Sequence, residues 1–346
     1  MILLSHFLIS EISPALAQKQ IFYYIVASIA FVFVFFLPIR RYIQIIPFFY
    51  WLGIILLLIV LLFGTTKLGA TRWFTLPFLN LTVQPSELFK PIFILMLSYL
   101  IYRKPPPPDG YVFKDFIYFS FYIILPFLLI AKEPDLGTAL VLLLLGYGIL
   151  FIVGIKLQII LSIILILAIS SPIIYTYLIK GYQKKRIEDF ISKDPSYHVQ
   201  QSIIAIGSGG VLGQKKEEAT QTQLKFLPIA TSDFIFAYLA ERYGFIGAAS
   251  LIIIYTLLIV YLFVLNTHFK DDYLISVFSS GIALLIFLDM SVNILMVIGY
   301  APVVGLPLPM FSYGGSSFIN FIVIIAILEN LISFRYKAGY DKIKRF

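Results

Sequence analysis

Long apolar runs with few or no charges recur from one end of the chain to the other. Each is close to the roughly 20 residues that a helix needs to cross the hydrocarbon core of a bilayer. Nine runs have this length, at residues 21–38, 43–63, 85–102, 116–132, 136–154, 157–179, 243–265, 273–298 and 314–333. The sequence therefore predicts an all-α, polytopic integral membrane protein.

Composition agrees with a membrane protein. Of the 346 residues, 60% are apolar or aromatic and 13% are charged, whereas soluble domains average roughly 45–50% and 25%. The residues from Met1 to Ala17 form a weaker apolar run, interrupted near Ser13-Pro14, which is a candidate tenth span. We therefore expect about ten transmembrane helices, arranged as a single membrane domain over residues 1–346.

The positions of the basic residues explain the net charge of +8 without a nucleic-acid partner, which we do not expect. Outside residues 180–232 and Arg242, twelve lie in short connections on one side of the predicted bundle, among them Arg40, Arg103 and Arg335, and five lie on the other side. The positive-inside rule places the more basic side in the cytoplasm. The same alternation places the long polar connection, residues 180–232, outside the cytoplasm, and long loops of this kind are often functional.

The sequence offers little for a metal or a thiol-based site. It has no cysteine, and its three histidines, His6, His198 and His268, have no partner at the spacing of a metal site. The Gly-rich run from Gly207 to Gly213 lacks the spacing of a dinucleotide-binding turn and follows no predicted strand. We interpret this run as a bend.

Glu87 and Lys90 place two charges inside a predicted span. An ionised group near the bilayer centre is unfavourable by roughly 2.5–3.5 kcal/mol, so it needs a partner or a function. The two residues are three apart, so on a helix they share one face and can form an ion pair. Such a pair either locks helix packing or acts on a ligand, and the spacing alone favours neither.

Two aspartates stand where a polar connection becomes an apolar span. Asp135 directly precedes the run at 136–154, and helix capping is its simplest explanation unless it faces the same cavity as the charged pair. Asp233 follows Ser232 at the outer end of a later span. It fits either a helix cap, which the sequence alone favours, or a carboxylate that acts as a base.

The stretch from Ala301 to Ser317 is apolar enough for membrane depth, but its prolines and glycines exclude a straight helix. Non-helical backbone at that depth must face protein or a cavity. The hydroxyls of Ser312 and Ser316, with the free amides near them, can bind an anion at the start of the last helix. A plain re-entrant turn explains the same sequence equally well.

Several longer motifs point together to a known family. In chain order they are Arg72-Trp73, Gln84-Pro-Ser-Glu-Leu-Phe-Lys90, Pro134-Asp-Leu-Gly-Thr138, Gln200-Gln-Ser-Ile-Ile-Ala-Ile-Gly-Ser-Gly-Gly210, Thr222-Gln-Leu-Lys-Phe-Leu-Pro228, Ser232-Asp-Phe-Ile-Phe236, Gly244-Phe-Ile-Gly247 and the stretch from Asn293 to Ser317. These motifs and their order resemble the SEDS family (shape, elongation, division and sporulation), and its RodA branch fits best. The resemblance covers about residues 20–335.

The resemblance implies a function. SEDS proteins are ten-helix membrane glycosyltransferases that polymerise lipid II into peptidoglycan glycan strands beside a class B penicillin-binding protein. It implies a multi-pass protein of the bacterial inner (cytoplasmic) membrane that works with the elongation machinery. Asp233 matches the family's essential aspartate, so we predict that it is the catalytic base of an inverting single displacement, which requires one base.

Candidate substrate-binding residues come from the same motifs and from the charges described above. They are Arg72, Glu87, Lys90, Asp135, Ser312 and Ser316. Of these, Glu87, Lys90 and Asp135 match polar residues of the family's central cavity. Either Lys90 and Arg72 or a divalent cation, Mg²⁺ or Mn²⁺, would hold the leaving pyrophosphate; no cofactor is otherwise expected.

The chain departs from the family pattern near the aspartate. Relatives have a glutamate and a histidine where this chain has Ile229 and Thr231, and Glu-Glu where it has Glu241-Arg242. They also have a glutamine where this chain has Glu133. These changes remove an acid and an imidazole from the neighbourhood of Asp233.

Three other functions stay open at the level of sequence. A lipid II flippase or transporter would also need an outward cavity with charge inside the membrane, although no internal repeat supports it. A non-catalytic scaffold would recruit the cell-wall machinery. The division paralogue, FtsW, is disfavoured by the elongation-like run from Thr220 to Pro228.

Overall fold

The structure is a computed structural model of the chain. It describes residues 1–67, 70–76, 81–133, 135–159, 196–219 and 229–335, with isolated positions between these ranges. Much of the predicted span at 157–179, most of the loop before residue 196 and the last residues of the chain lie outside the described residues.

Ten longer α-helices make up most of the described chain. They are α1 (Ile2–Ile12), α2 (Pro14–Phe36), α3 (Ile46–Phe63), α4 (Pro85–Arg103), α5 (Phe113–Lys132), α6 (Leu136–Val153), α7 (Tyr197–Gly209), α8 (Ile235–His268), α9 (Tyr273–Val297) and α10 (Gly315–Ser333). Short 3-10 turns at Ile43–Ile45 and Lys216–Glu218 accompany them. The predicted all-α class is confirmed.

Seven described helical segments are long and apolar enough to cross a membrane. They are α2, α3 with the preceding turn, α5, α6, α8, α9 and α10, and each coincides with a predicted run. Helix α4 also forms over a predicted run, 85–102, but it carries Glu87, Lys90 and Arg103 and is not among the seven. The protein is therefore a multi-pass membrane protein, and ten is an approximate count of its spans.

The predicted tenth span over Met1 to Ala17 is wrong. Ser13 precedes a proline and is extended (φ −151°, ψ 98°), because the proline ring disfavours helical geometry in the residue before it. The apolar run is therefore divided between α1 and α2, and Pro14 occupies the first turn of α2, where its missing N–H is tolerated. With 11 residues, α1 is only ~16 Å long and does not cross a bilayer.

A small antiparallel sheet between α3 and α4 was not predicted from the sequence. Its strands are β1 (Thr65–Lys67), β2 (Ala70–Leu76) and β3 (Leu81–Val83), in the order β1-β2-β3. Three-residue strands are too short to give a readable alternation of apolar and polar residues. The strands follow an outer helix end, so the sheet belongs to the predicted outer side.

Helix α8 is broken at Gly244, whose φ of 63° and ψ of −161° are non-helical. The freed amides of Phe245 and Ile246 donate to the carbonyls of Gly210 and Val211, at 2.9 and 3.2 Å. The Gly-rich run is thus a bend, as predicted, and it docks into the break. A side chain at Gly213 would collide with the Arg242 carbonyl at 2.3 Å, so the close approach requires glycine there.

The ends of the bundle separate as the charge distribution predicts. Asp272, between α8 and α9, forms ion pairs with Arg40 and with Arg335, the latter at 3.6 Å. Three connections that were assigned to the cytoplasm therefore meet at one end. The central helices are α4 and α9, which pack against each other and both contact α6.

Candidate functional site

The charged pair on α4 is part of a three-residue ion cluster. The Lys90 ammonium lies 2.9 Å from a Glu87 carboxylate oxygen and 3.2 Å from an Asp289 oxygen of α9. All three side chains are at most 5% exposed. The predicted Glu87–Lys90 pair is confirmed, and Asp289 is a partner that sequence reasoning missed.

The composition of this cluster limits what Lys90 can do. Two carboxylates surround one ammonium, and the second oxygens of Glu87 and Asp289 have no hydrogen-bond partner among the described residues. These contacts use two of the three N–H donors of the ammonium, and the Lys90 side chain is only 1% exposed, so a phosphate oxygen does not reach it in this geometry. In this geometry Lys90 joins α4 to α9. The signal for Asp289 was its position as a lone acid in the middle of an otherwise uncharged span.

Asp135 caps α6, as the simplest interpretation predicted. One carboxylate oxygen accepts from the Thr138 amide at 3.4 Å, and the other accepts from the Gln84 side-chain amide at 2.6 Å. Gln84 itself stands at the N-cap of α4, three residues before Glu87. Asp135 therefore caps α6 and also binds the N-cap residue of α4; that it faces one cavity with Glu87 and Lys90 stays a prediction.

Asp233 lies in a turn immediately before α8. The N-cap residue of that helix is Phe234, so Asp233 stands one residue before the cap. No side chain makes a capping hydrogen bond from the N-cap position. The Asp233 residue is half-buried. Its carboxylate lies beside Gly305, because a Cβ atom built at Gly305 would sit 3.4 Å from the carboxylate oxygen Oδ2.

Three consecutive backbone carbonyls hold the Asp233 turn against the segment before α10 and against α9. The carbonyl of Thr231 accepts from the Tyr313 amide at 2.9 Å, and that of Ser232 accepts from the Ser312 hydroxyl at 2.7 Å. The carbonyl of Asp233 accepts from the Asn293 side-chain amide at 2.9 Å. The backbone of the predicted base is therefore fixed on one side by partners from α9 and from residues 312–313.

The structure describes the surroundings of Ser312 and Ser316 but not those of the Arg72 side chain. Besides its bond to Ser232, the Ser312 hydroxyl accepts from the Leu308 amide at 2.8 Å and is buried, so in this state it serves the turn. Ser316 is half-buried in the first turn of α10. Arg72 lies in β2, and its side chain is outside the described part of the structure. Substrate contacts by all three stay predictions.

The described residues bring no three His, Asp or Glu side chains into a group that could hold a metal ion. Within the described part of the chain, Asp233 therefore belongs to no such group.

The unusual Arg242 has a partner that the sequence analysis did not identify. Its guanidinium makes two hydrogen bonds to the Glu11 carboxylate, at 2.8 and 3.0 Å, and the Tyr238 hydroxyl donates to the same carboxylate at 2.8 Å. The neighbouring Glu241 is fully buried and accepts from the Gln221 amide at 3.0 Å. Arg242 thus ties α8 to α1.

Comparison with known proteins identifies the family. Residues 4–337 match the family model FtsW/RodA/SpoVE, described as a cell cycle protein. The chain belongs to the FtsW/RodA/SpoVE family. The resemblance to SEDS proteins that the motifs suggested is confirmed.

Similar proteins within the FtsW/RodA/SpoVE family carry the names MrdB and FtsW. The peptidoglycan glycosyltransferase MrdB of Helicobacter pylori (strain ATCC 700392 / 26695) is 52% identical over 99% of this chain and 89% of that protein. MrdB of Escherichia coli (strain K12) is 37% identical over 86% of this chain and 80% of that protein. By contrast, a probable peptidoglycan glycosyltransferase FtsW of Geobacter (strain M18) is 34% identical over 80% of this chain.

Two solved structures share the family fold. One comes from a peptidoglycan synthase complex described as coordinating polymerization and crosslinking, with a TM-score of 0.83, 26% identity and coverage of 97% of this chain and 95% of that chain. The other is the rod shape determining protein RodA of Thermus thermophilus, with a TM-score of 0.72, 25% identity and coverage of 97% and 94%.

Proposed function

We propose that this protein is a peptidoglycan glycosyltransferase that polymerises lipid II during cell elongation, with Asp233 as its catalytic base. The observation that carries the proposal is the 52% identity, over nearly the whole chain, to an enzyme named peptidoglycan glycosyltransferase MrdB. The higher identity to MrdB than to FtsW favours elongation over division.

The reaction needs one base at the acceptor. The acceptor 4-hydroxyl attacks the anomeric carbon of the donor sugar, a new C–O bond forms, and the bond from that carbon to the pyrophosphate oxygen breaks. Asp233 takes the hydroxyl proton, and the electron pair leaves with the lipid pyrophosphate. Attack from the face opposite the leaving group converts an α-linked donor into a β-linked product. The fixed backbone of Asp233 supports this role, because a base must be held close to the proton that it removes.

Charge on the leaving pyrophosphate must be stabilised by groups near the outer ends of the helices. Arg72, whose side chain lies outside the described part of the structure, and the amides and hydroxyl at Ser316 are the candidates. Lys90 is buried and binds acids of both α4 and α9, so we assign it first to holding α4 on α9. A divalent cation bound by substrate phosphates stays an expectation.

The proposal includes a location and partners. We expect the protein in the bacterial inner (cytoplasmic) membrane, with the loop at 180–232 outside the cytoplasm. A class B penicillin-binding protein would supply the crosslinking activity beside it, as part of the elongation machinery. The fold similarity to a chain from a peptidoglycan synthase complex supports such a partner.

The decisive experiment is polymerisation of lipid II by the purified protein with its penicillin-binding partner. Glycan strands should form with the wild-type chain, and Asp233→Asn should abolish them while the melting temperature and the complex with the partner are kept. Full activity of the Asn variant would refute Asp233 as the base. A scaffold would give no strands with either form, and a flippase would move lipid II between leaflets without polymerising it.

A further inference from the structure

Asn293 makes two hydrogen bonds with one amide nitrogen. Its Nδ2 donates to the Asp233 carbonyl at 2.9 Å and to the Leu306 carbonyl at 2.6 Å. The side chain is fully buried. It thus connects α9, the Asp233 turn and the non-helical segment before α10, whose Gly305 lies against the Asp233 carboxylate.

A fixed backbone matters at this position because a base must be held close to the proton that it removes. The turn precedes the first helical residue of α8, so the Asp233 carbonyl has no obligatory partner within that helix. Asn293 provides one from outside. A displacement of about 1 Å at a reacting group lowers rates by as much as ~10²-fold, so the bond that locates the base is expected to control its rate.

The ion cluster is attached to the same face of α9. Asp289 and Asn293 are four residues apart, which is about one helical turn, or ~6 Å along the axis. Asp289 binds Lys90 of α4, and Asn293 binds the Asp233 turn. The helix that positions the turn is therefore itself anchored to α4.

We propose that Asn293 is a positioning residue for Asp233: its amide holds the backbone of the base and the segment beside the carboxylate in their working arrangement. The inference rests on the proposed role of Asp233. Asn293 does not touch the reacting atoms; it acts through the carbonyl of the base.

The chain contains a matched control. Asn330 of α10 is also fully buried, and its amide nitrogen also donates to backbone carbonyls, those of Phe35 at 2.7 Å and Leu37 at 2.5 Å, with a longer contact to Val34 at 3.5 Å. These contacts lie at the cytoplasmic end of the bundle, away from Asp233. The same substitution at the two positions removes the same chemistry, with only one of them next to the base.

The experiment compares Asn293→Ala and Asn293→Asp with Asn330→Ala and Asn330→Asp in the complex with the partner. Melting temperature, kcat and KM for lipid II polymerisation are measured for each. We expect similar losses of melting temperature in each matched pair, a fall of about 10²-fold in kcat for Asn293→Ala but not for Asn330→Ala, and a KM close to that of the wild type. A buried Asp takes up a proton and keeps one O–H donor in place of the amide, so Asn293→Asp should have a kcat between those of Asn293→Ala and the wild type.

Several outcomes would overturn the inference. Equal kcat values for the Asn293 and Asn330 variants would show that the bond is merely structural, and a raised KM with unchanged kcat would show a substrate contact instead. If the Asn293 variants do not fold, Ser312→Ala removes the adjacent bond to Ser232; it should lower kcat without raising KM, and a normal kcat would contradict the inference. Full activity of Asp233→Asn would refute the base itself, which is a separate failure.

Discussion

The buried ion cluster allows a quantitative test of what Lys90 does. Lys90→Met keeps the length of the side chain and removes its charge, which leaves Glu87 and Asp289 buried without a cation. Removing one partner of a buried ion pair lowers the free energy of unfolding by about 3–5 kcal/mol. Although two contacts are lost here, a buried carboxylate without a cation takes up a proton, so we expect the same range rather than twice it.

In the Lys90→Met background, removing the charges of the unpaired acids one after the other should restore stability step by step. Glu87→Gln with Lys90→Met still leaves Asp289 uncompensated, so it should recover only in part. Adding Asp289→Asn makes the whole cluster neutral, and replacement of a buried ionic cluster by neutral residues is often without net effect. The triple variant should therefore lie within about 1 kcal/mol of the wild type in its free energy of unfolding.

Thermal unfolding in detergent measures the difference. At about 2 °C per kcal/mol, the low end for larger domains, Lys90→Met should melt ~6–10 °C below the wild type. Lys104→Met is the control, because Lys104 pairs with Asp115 but is 52% exposed, and exposed pairs contribute at most about 1 kcal/mol. If Lys90→Met were as stable as the wild type, or the triple variant as unstable as Lys90→Met, the electrostatic reasoning would be wrong. A triple variant that is stable but unable to polymerise lipid II would assign a functional role to at least one of the three charged side chains.

Two further predictions concern residues where this chain departs from its relatives. Glu11→Ala and Arg242→Ala should each destabilise the protein. A double-mutant cycle should give a coupling energy of about 1.5–3 kcal/mol, because the pair makes two charged hydrogen bonds. A coupling near zero would show that α1 is not held by Arg242. His198 is exposed, and its ring lies 6.3 Å from that of Phe234, next to the base. We nevertheless expect His198→Gln to polymerise lipid II at nearly the wild-type rate, whereas a loss of about 10²-fold or more with folding intact would mean that the imidazole takes part as an acid or base.

The parts of the fold that follow from local sequence were predictable. The spans are continuous apolar stretches, and helix is the structure that satisfies their backbone in lipid. Asp135 was predicted as a cap because capping depends on the next three residues, and the Gly207–Gly213 bend because glycine permits it. The pairing of Glu87 with Lys90 was also predictable from local sequence, because a separation of three residues on a helix brings two side chains close together.

Contacts between distant segments were not predictable from one sequence. The Lys90–Asp289 and Glu11–Arg242 pairs join residues about 200 positions apart, and no local pattern encodes which acid meets which base. Two of the strands at 65–83 have only three residues, and the seven-residue β2, Ala70–Leu76, shows no strict alternation of apolar and polar residues. For Asn293 the sequence showed an amide inside an apolar span, but only the fold reveals that its acceptors are the carbonyls of Asp233 and Leu306.

The polar residues of α9 show how a catalytic group on a turn can be held rigidly inside a membrane protein. Away from water, a buried polar side chain is stabilised by binding protein, and Asp289 and Asn293 each bind a second element. Asp289 fixes α9 to α4 and Asn293 fixes the Asp233 turn to α9, on one face of one helix. Among the described contacts, the backbone of the base is therefore held by α9 and by the segment before α10. It follows that substitutions on this face of α9 should lower the rate of the chemical step directly.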